Sequence, residues 1–220
     1  LNKCPESVRS AVLEKYRKES MRDFILRARR GPSTPDFSLN ALPQMSHLEI
    51  VAHCIANAVF FSLNLRSSVR IHIVLDGPSD PPKIVRIESD CLGSLDGFDE
   101  QALTGILREA LYTGQGLLLN QERKSRPGVF VAKRSFESLV RQQAAIGEIF
   151  VLHKRAKDIR EIAFSNTTTF VFSDHLSMPK KADKFLLRLG AESISVGPKM
   201  LFASQCITLV HNELDRLGLP

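Results

Sequence analysis

"SISVGPKMLFASQCITLVHNELD", residues 193–215, is the stretch on which the fold turns. Residues 193–197 alternate as a short strand, and Gly197-Pro198-Lys199 ends it. From about 203 to 217, Ile207, Val210, Leu214 and Leu217 recur every three or four residues, the spacing of one buried helix face. Gly197 permits positive φ and close backbone approach. The N–H groups of this turn therefore either grip the edge of a small polar ligand or simply join strand to helix. Cys206 is open to two readings as well. The dipole at a helix N-terminus lowers a thiol pKa. A free cysteine is also a small apolar side chain, at home in a core and free to touch a ligand there.

Upstream the same alternation repeats. "MRDFILRARR" (21–30) reads as a strand. A helix follows, with Ser46 and Glu49 in capping-box spacing and Leu48, Val51, Ile55, Val59 and Ser62 on one face. "VRIHIVL" (69–75) alternates as a strand, "DGPSDPP" is a turn-rich loop, and "KIVRIES" (83–89) is a strand returning beside the first. Asp99 can cap a helix whose inner face holds Leu103, Ile106, Leu107 and Leu111, with Gly114 just past its end. Residues 113–128 read as a long basic connection, a boundary or a mobile loop. Then come strand 129–133, a helix from Ser135 to about Ala145, strands 148–154 and 168–174, and helix 181–190. Strands separated by helices imply parallel neighbours and an α/β fold with a mostly parallel central sheet.

In such folds ligands sit at the carboxyl ends of the parallel strands. That rule selects "VLHK" ending at 154, "FSDHLSMP" after 172 and "VGPKMLF" after 195. The three line one crevice if their strands are neighbours, which periodicity alone does not establish. Ser173, Asp174 and His175 either hydrogen-bond a ligand or close a turn and cap the next helix.

The chain has 220 residues, with 30 Lys and Arg against 24 Asp and Glu, a net charge of +6. That excess permits an anionic partner, with RNA the obvious candidate. Arg27, Arg29 and Arg30 end the first strand, and Arg123, Lys124, Arg126, Lys133 and Arg134 cluster later. They either contact phosphates or form a solvated basic face. Four scattered cysteines without a CxxC pair point to a reduced, cytoplasmic protein and to no zinc site. His47 and His53, six apart on one helix, point in different directions, so no metal is expected. No apolar run is long enough to cross a membrane. GxGxxG, GxxxxGK[ST] and GxSxG are all missing. Residues 1–20 read as an extension outside the core domain, with a basic helix over 5–19 that begins at Pro5 and carries Val8, Val12 and Tyr16 on one face.

From Met21 onward the chain resembles the SPOUT-class tRNA pseudouridine N1-methyltransferases, in their bacterial branch. The resemblance rests on "MRDFILRAR", "HIVLDGPSDPPKIVRIES", "PGVFVAKRSFESLV", "FVFSDH" and the opening stretch. It implies a single domain over 21–220, with a C-terminal trefoil knot and the cofactor site within about 148–217. Further implications are a homodimer formed around the knot, S-adenosyl-L-methionine as cofactor, and structured RNA, tRNA position 54 above all, as substrate. Carried over by position, the cofactor contacts are Leu152, Ser173, Val196, Gly197, Pro198, Lys199, Met200, Leu201 and Cys206. Archaeal members commonly have Leu-Gly where this chain has Phe172-Ser173, a change that adds bulk beside the cofactor.

The implied reaction requires a proton to leave N1 of the base, and Asp174 is the candidate acceptor. Arg27, Arg29, Arg30, Arg126 and Arg134 are the candidate RNA contacts. Two further readings share the sequence: a SPOUT enzyme acting on a different base or on ribosomal RNA, and a non-catalytic RNA-binding or assembly factor that retains the fold.

Overall fold

A computed structural model describes residues 21–37, 48–62, 64–93 and 97–219. The expected extension and Ser46 of the expected capping box lie outside them. Along the chain come β1 (Met21–Ala28), α1 (Leu48–Val59), a two-residue pair β2 (Phe60–Phe61) and β3 (Asn64–Leu65), β4 (Val69–Leu75) and β5 (Lys83–Glu88). They are followed by α2 (Glu100–Thr113), β6 (Glu122–Arg126), β7 (Val129–Ala132), α3 (Phe136–Ala144), β8 (Glu148–Asp158), β9 (Thr167–Ser173), α4 (Lys180–Arg188), β10 (Glu192–Ser195) and α5 (Ala203–Arg216).

Eight strands form one sheet in the order β10-β8-β9-β1-β4-β5-β7-β6. The first five are mutually parallel, and the last three are antiparallel to their neighbours. The expected α/β class and the mostly parallel sheet are both present. In the central strands successive side chains enter opposite faces of the sheet. Phe24, Leu26 and Ala28 join the core under α1, α2 and α5, while Ile25 joins the core under α3 and α4. Asp99 caps α2 by accepting from Ala102 N–H at 2.8 Å, and Ser135 caps α3 by accepting from Ser138 N–H at 3.2 Å.

Two expectations are corrected. Residues 113–128 are not simply a connection, because Glu122–Arg126 pairs antiparallel with Val129–Ala132 through a turn at Gly128, φ 73°. An edge strand stays soluble by carrying charge. "ERKSR" therefore lacks the alternation that announces an ordinary strand. The helix carrying Val59 stops there, and Ser62, expected on its inner face, sits in a turn at φ 53°.

The C-terminal helix is latched to the start of β1. Arg22 meets Asp215 at 2.7 Å, donates to Leu219 O at 2.7 Å and reaches His211 Nδ1 at 2.8 Å. His211 Nε2 lies 2.9 Å from Ala58 O, which places its proton on Nε2 and leaves Nδ1 to accept from Arg22. Burial, with the charges of Arg66 and Arg22, pushes the His211 imidazole down to about 3.

Candidate functional site

β8, β9 and β10 are adjacent and parallel, so the condition left open by the sequence is met. Their carboxyl ends lie on one edge. Leu152 follows the last β8–β9 pair, Val151 with Val171, and β10 pairs with β8 on both sides of residues 152–156. Leu152, Val196 and Leu201 all pack against the cluster that contains Ala203, Cys206 and Ile207. Four residues expected at the cofactor thus belong to or border the same core cluster, which extends under α1, α2 and α5.

The turn itself is held from below. Ser195 Oγ lies 3.2 Å from Gly197 N, which donates to it, and 3.4 Å from Lys154 O. At the far end Phe202 N–H donates to Gln205 Oε1 at 3.0 Å, starting α5. Between these anchors the backbone of Pro198, Lys199, Met200 and Leu201 belongs to no helix or strand. Gly197 has φ 139°, and a β-carbon there would meet nothing within 4 Å. An open, glycine-shaped cradle with nearby backbone donors suits the edge of a flat polar ligand, and the residues fit an adenosine group.

Cys206 follows the apolar reading. Its N–H is already committed to Phe202 O at 3.0 Å, and burial pushes its thiol up to about 11. Burial raises Cys54 of α1 too, with contributions from Cys206 and Asp174.

Ser173 ends β9 opposite Arg27, and Asp174 N–H donates to Arg27 O at 3.2 Å. The Asp174 side chain is only 3% exposed. Its Oδ1 accepts from Leu176 N–H at 2.9 Å, and its Oδ2 lies 3.7 Å from His175 Nδ1. The triplet thus closes a turn, but it does not cap α4, whose N-cap position is Pro179 with no side-chain cap.

The arginines divide. Arg27 is half-buried, 2.8 Å from Asp76 and 4.4 Å over the Phe136 ring, so it braces the strand ends. Arg29 and Arg30 are exposed at the same edge, with Arg29 reaching Ser177 O at 3.5 Å. Arg134, just past β7, donates to Gln142 Oε1 at 2.7 Å on that edge too. Arg126 is placed differently. Antiparallel pairing puts it opposite Val129, at the other end of the sheet, and it is 3.4 Å from Glu109. Arg126 and Arg134, close in sequence, are separated because the whole length of β7 lies between them.

A buried network went unread in the sequence. Arg70 holds Asp23 through Nε at 2.6 Å and Nη2 at 2.9 Å, and His72 Nε2 lies 3.0 Å from Asp23 Oδ1. Burial alone would raise the Asp23 carboxyl, but the charge and hydrogen bonds of Arg70 and His72 bring it down to about 2. For His72 burial dominates and pushes it down to about 4, despite Asp23. The available signal was polar residues at 23, 70 and 72 in strands that an α/β sheet buries on both faces.

Among the described residues no three His, Cys, Asp or Glu side chains cluster as metal ligands, and no helix is long and apolar enough to cross a membrane.

Residues 21–219 match the model of a family described as "Putative SAM-dependent RNA methyltransferase". This chain belongs to that family. Similar members include proteins named "Putative pseudouridine methyltransferase" from Photobacterium profundum, 43% identical over 89% of this chain and 98% of that one, and from Vibrio cholerae, 40% identical over 89% and 97%. The Vibrio atlanticus protein of the same name is 38% identical over 90% of this chain and the whole of that one. In fold the chain resembles Archaeoglobus fulgidus Nep1 bound to S-adenosylhomocysteine, with a TM-score of 0.60 over 90% of this chain and 98% of that one, at 10% identity.

Proposed function

We propose that this member of the SAM-dependent RNA methyltransferase family methylates N1 of pseudouridine in a structured RNA, with tRNA position 54 as the leading target. The observation that supports this reading is that Leu152, Val196 and Leu201 pack against the same core cluster as Cys206, next to the adjacent parallel strands β8, β9 and β10. The names of the similar bacterial proteins supply the base.

Bound S-adenosylmethionine supplies an electrophilic methyl group. Residues Leu152, Ser173, Val196 through Leu201 and Cys206 would hold it, the first and last through apolar contact and the turn through its backbone. Pseudouridine suits the reaction because its sugar is attached through carbon, which leaves N1–H free. The chain's own part is to align N1, exclude water and accept the proton. Asp174 is the proposed acceptor, with Arg29, Arg30 and Arg134 binding the RNA. Arg27 is reassigned to positioning the strand ends. Arg126, at the far end of the sheet, is left out of this surface.

The C-terminal segment is proposed to form a trefoil knot, supported by the return of the chain after β9 to place β10 beyond β8. A homodimer is proposed on the same segment. Met200 and Phe202 are 80% and 68% exposed beside the cradle, apolar surface that a second subunit would cover. Free Cys54, Cys91 and Cys206 support a cytoplasmic location.

Mass spectrometry of nucleosides from RNA treated with the protein and S-adenosylmethionine tests the reading. Methylpseudouridine should appear in the treated tRNA fraction. Its absence from every RNA fraction, with the cofactor tightly bound, overturns the assignment of the base.

A further inference from the structure

A cavity of about 190 Å³ lies between α3 and the strands β5, β7 and β6, on the opposite face of the sheet from α1 and α5. Its lining includes Ile84, Ala132 and Glu122, which form one row across three strands, and Arg134 just past β7. Its floor reaches His72 and Arg70 of the buried network. The size is below the roughly 300–1,000 Å³ of pockets that enclose whole small molecules. There is room for one ring rather than a full nucleotide.

Charge decides what kind of ring. Arg70 is neutralised by Asp23, and Arg86 by Glu88 and by Glu122 at 2.8 Å. Among the described residues the lining thus offers a single uncompensated cation, Arg134, which donates to Gln142 Oε1 at 2.7 Å, rather than a cluster of cations for a phosphate. What the walls do offer is hydrogen bonding. Gln143 is 3% exposed and lines the cavity, and its Oε1 has no partner. Its Nε2 lies 3.3 Å from His72 Nε2, the atom that serves Asp23. Turning the amide over would let Oε1 accept from His72 and would leave the NH₂ without a partner instead. In either orientation one polar end is left over, which a buried amide tolerates poorly. Ile84, Leu139 and Ile146 supply apolar wall, and Arg86 sits 4.2 Å from the Phe130 ring centroid at the open side.

We propose that this cavity is an accessory nucleobase site, taking an unpaired base of the substrate RNA other than the one methylated. A neutral flat ring with a donor–acceptor edge answers an amide, and apolar walls answer its faces. Specific RNA recognition works largely through such splayed bases. The inference rests on the RNA-methyltransferase reading above.

NMR of the full chain with uridine, cytidine, adenosine and guanosine 5′-monophosphates tests it without requiring catalysis. At least one should shift the Gln143 side-chain amide, and Ile146→Trp, which fills the cavity, should abolish that shift. With RNA, Gln143→Leu should raise KM at least fivefold with kcat within twofold and cofactor affinity unchanged. If none of the four moves the Gln143 amide, or if only ordered water occupies the cavity in crystals soaked with them, the site is refuted. An amide that shifts in a protein that methylates no RNA sustains the site and refutes the proposed reaction instead.

Discussion

Arg70 on β4 and Asp23 on β1 face each other across a parallel strand pair, joined by two hydrogen bonds of 2.6 and 2.9 Å at nearly complete burial. A pair desolvated this far is held in balance, since each charge is tolerable only because the other is there. Arg70→Met should therefore cost about 3–5 kcal/mol by leaving Asp23 unpaired. Urea unfolding at pH 7 measures it. The double variant Asp23→Leu with Arg70→Met should recover most of that loss, and a double variant as unstable as the single one would contradict the account.

Stability should also fall in mild acid. His72 and His211 are held down to about 4 and about 3, whereas in the unfolded chain they titrate near 6.5. Between those values the unfolded state binds protons that the folded state refuses. Their contribution is complete above about pH 6.5 and is lost as pH falls through the window, with a slope approaching about 2.7 kcal/mol per pH unit for the two together. Asp23, lowered to about 2, adds a further loss as pH falls from its unfolded value of about 3.9 through about 2. Urea midpoints from pH 7.5 to 4.5 report the slope, which His211→Gln should roughly halve.

Gly197 has open space beside it and a backbone conformation that L-residues rarely adopt. Gly197→Trp should weaken S-adenosylmethionine binding at least tenfold, measured by calorimetry on folded protein. Unchanged affinity would remove the turn from the cofactor site.

Asp174→Asn separates two roles of one side chain. The amide oxygen can still accept from Leu176 N–H, so the turn should persist. Loss of the carboxylate should lower kcat about 10²–10⁴-fold with cofactor affinity retained. Wild-type turnover would exclude Asp174 as the proton acceptor.

Cys206→Ser should keep kcat at saturating S-adenosylmethionine within about threefold, because a thiol pushed up to about 11 by burial is a poor nucleophile. Complete loss of transfer with cofactor affinity intact would point instead to a covalent role.

Local pattern was enough for most of this fold. The helices carrying Leu103–Leu111 and Ile207–Leu214 were legible from spacing, and their caps from Asp99 and Ser135. The turn at Gly197-Pro198 was legible in the same way, because it joins an alternating strand to an amphipathic helix, whereas spacing left open what the turn holds. β6 was not legible. A charged edge strand carries no hydrophobic period, and its partner across the Gly128 turn creates the pairing.

Sequence by itself determined the α/β class, the family and the three segments that make up the candidate site, since each rests on residue order and short-range spacing. Tertiary structure alone decided that β10, β8 and β9 are neighbours, because strand order depends on where crossovers carry the chain. It also decided which arginines lie exposed at the carboxyl ends of the parallel strands. Arg27 and Arg126 are as basic as Arg30, yet one is turned onto Asp76 and Phe136 and the other is carried to the far end of the sheet. Likewise, Asp23, Arg70, His72 and Gln143 are separated by up to 120 positions, and only the sheet register and α3 bring them into one buried network.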